Sequence, residues 1–211
     1  MVLQTLISFG VIFGAAEGIR HAQAKARREE NRSRKNHLVV HCPKSSKFSA
    51  LLQDRRVVLF GGRLYIDTGT DHAAPFGHPF AGYFLPYPDT RHAGLVSTIT
   101  DVAPIMNWVY VHSGSRELRF GVRSDSEGNL TGPFDCTRQD RRLTLLGWEG
   151  FVAVAEEGAV WALYFDLDGD RLKGRIPDGT PVVEVELVRR ELRTEKPSPP
   201  DPAKDEKTSE G

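Results

Sequence analysis

The densest mixture of reactive side chains lies at residues 132–143, GPFDCTRQDRRL. Asp135, the thiol of Cys136, Arg138, Asp140, Arg141 and Arg142 all fall within this segment. A nucleophilic cysteine needs a depressed pKa and usually a nearby base. The adjacent arginines supply the first, and a histidine partner has to come from elsewhere in the fold. Arg138, Arg141 or Arg142 could then hold an anionic substrate. The plainer reading is a structural cysteine beside an Arg/Asp ion-pair network.

A second candidate is the stretch 75–88, PFGHPFAGYFLPYP, with Phe76, Phe80, Tyr83, Phe84 and Tyr87 among prolines and glycines. Rigid rings on a proline-stiffened loop lose little entropy on binding, so Phe80, Tyr83, Phe84 and Tyr87 are candidate contacts for a protein ligand. The competing reading tucks the same rings under the loop, where they fill the open end of a barrel.

Other chemistry is weaker. His37 and His41, or Asp71 and His72 with His78, could ligate a metal, but none has a recognised spacing, and no metal site or cofactor is expected. The stretch DLDGD at 166–170 opens like a calcium loop, yet Arg171 stands where that loop needs glycine and Pro177 where it needs glutamate. A tight turn explains it. Nucleophile-elbow, Walker, dinucleotide and zincin motifs are all missing from the sequence.

The elements that position these residues read as strands. Residues 38–42 are a short β-branched run. Two apolar runs flank Gly61-Gly62, a hairpin signature. The pattern recurs at 107–121 around Ser-Gly-Ser and at 151–166 around Glu-Glu-Gly. In the last run Val183, Val185 and Leu187 alternate with Glu184 and Glu186, so one face is buried and one is wet. The fold class is mainly β (α+β overall): an antiparallel meander forming a small barrel or sandwich, with one N-terminal helix. Three segments are expected: a helix at 1–35, a β-rich domain at 36–193 and a tail at 194–211. The tail has four prolines and no large apolar residue, and is read as disordered.

The head is apolar over residues 2–19 and basic over 20–35. Gly10, Gly14 and Gly18 recur at steps of four, so on a helix they share one smooth face where another backbone can pack. The basic half suits anionic headgroups. Membrane association, packing on the protein's own sheet or a partner, and a cleaved targeting segment all remain open for it. The chain carries 28 Lys+Arg against 28 Asp+Glu, and the positive excess sits in the head, so the near-neutral body argues against nucleic acid. Two cysteines, Cys42 and Cys136, make no disulfide framework.

With these residues in hand, the chain resembles a family of uncharacterised proteins from filamentous fungi. The resemblance is carried by ISFGVIFGAAEGIRHAQAKARRE, GYFLPYPDT, GLVSTITD, GPFDCTRQDRRLT, GWEGFVAV and WALYFDLD. It covers most of residues 5–193 and implies no activity. It does imply that the N-terminal helix belongs to the protein. The leading expectation is a non-enzymatic, intracellular interaction protein that meets a protein partner or a membrane surface through residues 2–35. The alternatives are a thiol-dependent hydrolase or transferase using Cys136, and a small-ligand binder with an aromatic-lined barrel mouth.

Overall fold

The computed structural model describes residues 2–69, 76–99, 105–138 and 141–192, with side chains from Glu17 onward. The expected tail at 194–211 lies outside the described residues, as do the side chains around Gly10 and Gly14.

The chain opens with helix α1 (Val2–Ser33) and continues as short strands. β1 (Asn36–His41) is followed by the single turn α2 (Ser49–Leu52) and by the hairpin β2 (Val57–Phe60) and β3 (Arg63–Ile66). β4 (His78–Pro79), β5 (Gly82–Pro86) and β6 (Ala93–Thr98) come next. A second hairpin joins β7 (Met106–Val111) to β8 (Leu118–Gly121), and the turn α3 (Arg123–Ser126) leads to β9 (Phe134–Cys136). After β10 (Leu143–Leu145), a third hairpin joins β11 (Phe151–Ala155) to β12 (Trp161–Phe165). β13 (Val182–Glu184) and β14 (Glu186–Glu191) end the fold.

The first hairpin shows why the local sequence folds so. Phe60 pairs with Arg63 across Gly61 and Gly62, both at positive φ (54° and 79°), the backbone that a two-residue turn between twisted strands requires.

The strands repeat one plan three times: a first strand, a hairpin, a last strand. The last strand of each unit pairs antiparallel with the first strand of the next. These pairs are β5 with β6, β9 with β10, and β14 with β1. Within units, Asn36 of β1 meets Gly82 of β5, β9 packs beside β6, and Arg142 just before β10 bridges to Val188 of β14. Six strands thus close into a barrel. The three hairpins cover one end, touching through Arg63–Arg119, Trp161–Ile66 and Glu117–Tyr164. The antiparallel barrel with one N-terminal helix is the architecture the strand pattern leads one to expect.

Inward-facing side chains from all six barrel strands form one core, with Val40, Phe84, Leu95, Phe134, Leu143 and Leu187 among them. Each such side chain contributes about 1.5–3 kcal/mol by leaving water. Where the hairpins meet, the interior is polar. Arg63 pairs with Glu117 (2.9 Å) and with Glu156, and Arg119 Nε donates to Glu117 (2.7 Å). The Tyr164 hydroxyl accepts from Arg63 (3.2 Å) and donates to Glu156 (3.3 Å).

Helix α1 meets the barrel in a different way. At 1.5 Å per residue its 32 residues span about 48 Å. Residues 17–27 are exposed, and no atom approaches within 4 Å of a Cβ built on Gly18. The described contacts to the barrel come from Arg28, Asn31 and Arg32, in the last two turns.

Candidate functional site

Between α1 and the barrel lies an open cleft of about 770 Å³. Its lining holds nine Lys and Arg side chains and one carboxylate, Glu191, which is itself paired with Arg34 (2.9 Å). One wall is the exposed flank of α1, including Arg20, Lys25 and Arg27. The opposite wall is the end of β9 at Cys136 and the segment that follows, with Arg138 and Arg141, together with Arg189 of β14.

Arg189 is placed by strand periodicity. Val183, Val185 and Leu187 point inward, and Arg189, two residues on, keeps the same phase. It is only 5% exposed. Its guanidinium carbon lies 4.4 Å from the Phe84 ring centroid, and that of Arg32 lies 4.5 Å from the same centroid. Arg189 Nη1 donates to Cys136 Sγ (3.5 Å) and Nη2 to the Asn31 carbonyl of α1 (3.3 Å). Among the described residues no carboxylate pairs with it. Burial pulls its pKa below the usual range; Cys136 opposes that shift, while Arg32 and Arg141 add to it.

One carboxylate anchors the helix. Asp135 accepts from Arg28 Nη2 (2.6 Å) and from Arg32, and also from the Cys136 backbone N–H (2.8 Å). All three partners of this pairing are at least partly accessible, so each pair contributes modestly, on the order of 1 kcal/mol or less.

The residues singled out by sequence divide sharply. Arg138 and Arg141 are exposed and line the cleft, and neither pairs with a carboxylate among the described residues. Arg142 instead bonds Glu149 (2.9 Å) and Glu186 (2.8 Å), half-buried, as part of the barrel wall. Cys136 is half-buried in the cleft wall, and among the described residues neither a histidine nor a carboxylate is hydrogen-bonded to its sulfur. Cys42 is likewise a free thiol, packed against the core, where burial pushes its pKa up.

The aromatic stretch is largely interior. Phe80 is 1% exposed, and its carbonyl is bonded by the His37 ring (2.8 Å). Phe84 is 5% exposed beneath the two guanidinium groups. Tyr87 is 6% exposed, hydrogen-bonded to Ser126 (2.8 Å) and edge-on to Trp108. Tyr83 alone of the four is half accessible, its hydroxyl 3.5 Å from Met106 Sδ. Successive residues of β5 face opposite sides of the barrel wall, so Phe84 points into the core while Tyr83 faces outward.

The DLDGD turn is held by Asp166, whose carboxylate accepts from the backbone N–H groups of Asp170 (3.1 Å) and Arg171 (2.8 Å). Among the described residues no group of three or more His, Cys, Asp or Glu side chains is placed to hold a metal.

Three units of strand, hairpin and strand around a six-stranded barrel form a β-trefoil, and the model of the fungal β-trefoil domain family matches residues 14–193. The chain belongs to that family. The match to the fungal β-trefoil domain begins inside α1, so the last part of the helix is counted with the barrel. The cleft of this fungal β-trefoil domain is therefore bounded on both sides by residues within the match. No curated protein and no solved structure matches the chain.

Proposed function

We propose that this fungal β-trefoil protein is a non-enzymatic interaction module that receives an acidic protein segment along the basic flank of α1. One observation carries the reading. Arg20, Lys25 and Arg27 stand exposed on a helix whose described contacts to the barrel lie in its last two turns, facing an open cleft with almost no acidic lining among the described residues. Charge of one sign along a cleft raises the local concentration of the opposite charge and speeds encounter.

The thiol-enzyme reading is the weaker one, because Cys136 has an arginine rather than a base at its sulfur. The membrane reading for residues 2–35 would use the same helix. Among the described residues no helix is long and apolar enough to cross a membrane.

The test is titration of the full chain with a fluorescent deca-glutamate peptide, beside Arg20→Ser/Lys25→Ser/Arg27→Ser. Binding that weakens about tenfold in the variant and falls steeply with salt supports the reading. Equal binding by both proteins, or none, removes it.

A further inference from the structure

We propose that the cleft holds a phosphate-bearing ligand, its phosphate seated against Arg189, with Arg32 of α1 and Arg141 of the barrel supplying further donors.

The first support is the environment of Arg189. A guanidinium removed from water is costly unless it is paired. This one faces the cleft, is 5% exposed, and among the described residues has only a thiol and a peptide carbonyl as acceptors. Both are weak substitutes for an anion.

The second is the company it keeps. Arg32 lies over the same Phe84 ring, and the Arg189 backbone N–H donates to the Arg141 carbonyl (3.1 Å), which brings a third guanidinium to the same wall. Asp135 engages Arg28 and Arg32 but does not reach Arg189 or Arg141. Among the described residues positive charge is therefore in excess where three forks converge. A carboxylate offers two oxygens and one charge. A phosphate offers three terminal oxygens and about −1.5 to −2 charge, which fits the surplus better.

The third is space. About 770 Å³ accommodates a phosphorylated ligand of drug-like size. Because donors come from both α1 and the barrel, such a ligand also ties the helix down.

This site needs the cleft floor, whereas the acidic-partner reading needs the exposed flank, so the two fail separately. Inorganic pyrophosphate is titrated into the full chain by calorimetry at low salt, then into Arg189→Met and Arg141→Asn. The wild type binds, and each variant binds roughly ten- to a hundredfold more weakly. Arg141→Asn keeps the test valid if Arg189→Met does not fold, since Arg141 is exposed and asparagine accepts its φ of 53°. Phosphatidylcholine vesicles with and without phosphatidylinositol phosphate separate the sources. Binding to the phosphoinositide vesicles that pyrophosphate displaces assigns a lipid headgroup. Pyrophosphate binding without vesicle binding assigns a soluble phosphate. Failure to bind either probe, or affinity undiminished in the folded variants, overturns the site, even where deca-glutamate still binds.

Discussion

Arg189 and Cys136 are joined across the cleft floor, the guanidinium Nη1 donating to the thiol sulfur over 3.5 Å. They come from β14 and β9, the last strands of two different units. A buried cation whose acceptors are a thiol and a peptide carbonyl gains less from them than from an anion. Replacing such a group by an apolar side chain of similar length is often neutral or stabilising. Arg189→Met should therefore unfold in urea within about 1 kcal/mol of wild type, or later. Destabilisation beyond about 3 kcal/mol would show that the guanidinium is a structural necessity.

Asp135 is the only carboxylate that binds α1 to the barrel among the described pairs. Asp135→Asn should leave barrel stability within about 1 kcal/mol while freeing the helix. Hydrogen exchange will read this as faster exchange at residues 20–33 and no change in β1 or β14. High salt acting on wild type should move exchange in the same direction.

Glu117 tests the hairpin junction. Burial raises its pKa, but hydrogen bonds from Arg119 and Ser115 and the charges of Arg63 and Arg119 outweigh this and hold it below its ordinary 4.5. A depressed carboxyl contributes stability that is fully present above pH 4.5 and is lost as pH falls through the lower folded value. Glu117→Gln should cost about 2 kcal/mol at neutral pH, with the gap to wild type closing in acid. Thermal melts of both proteins from pH 7 to pH 3 measure the gap.

Tyr164 reports the same junction from the alkaline side. Burial, helped by Glu117 and Glu156 against Arg63, pushes its hydroxyl to about 12. A raised tyrosine contributes stability that is present below pH 10 and lost as pH rises through the folded value. An absorbance titration of phenolate should show a late step that Tyr164→Phe removes.

Gly82 leaves no room for a side chain where β5 pairs with β6. A Cβ there would sit 2.2 Å from the Val96 carbonyl oxygen and 2.4 Å from the Phe80 ring. Gly82→Ala should destabilise by about 3 kcal/mol, through displacement of backbone rather than a flexible side chain. A urea melt within about 0.5 kcal/mol of wild type would mean that the β5–β6 ladder yields easily.

Much of the barrel was legible locally. Gly61-Gly62 between apolar runs marks a hairpin because only that backbone turns two twisted strands in two residues. The alternation of Val183, Val185 and Leu187 fixes an inward face. Continued by two residues, it also puts Arg189 inside, a signal present in the sequence but easily passed over because the residue is charged. The aromatic loop shows the limit of such reading. Phe80, Phe84 and Tyr87 look like a recognition surface by composition, and only the tertiary structure buries them, Phe80 and Phe84 in the barrel core and Tyr87 against Trp108 and Ser126.

What the sequence alone determined is the mainly β content, the hairpin turns, the inward phase of the last strand run and the segregation of basic residues into the head. All of these depend on neighbours a few residues apart, through backbone preference and period-two patterning. Tertiary structure decided the rest. Strand β14 closes on β1 from the far end of the chain, and Asp135 finds Arg28 and Arg32 across 107 and 103 positions. Which charged groups meet is set by chain closure in three dimensions, and residue spacing carries no record of it.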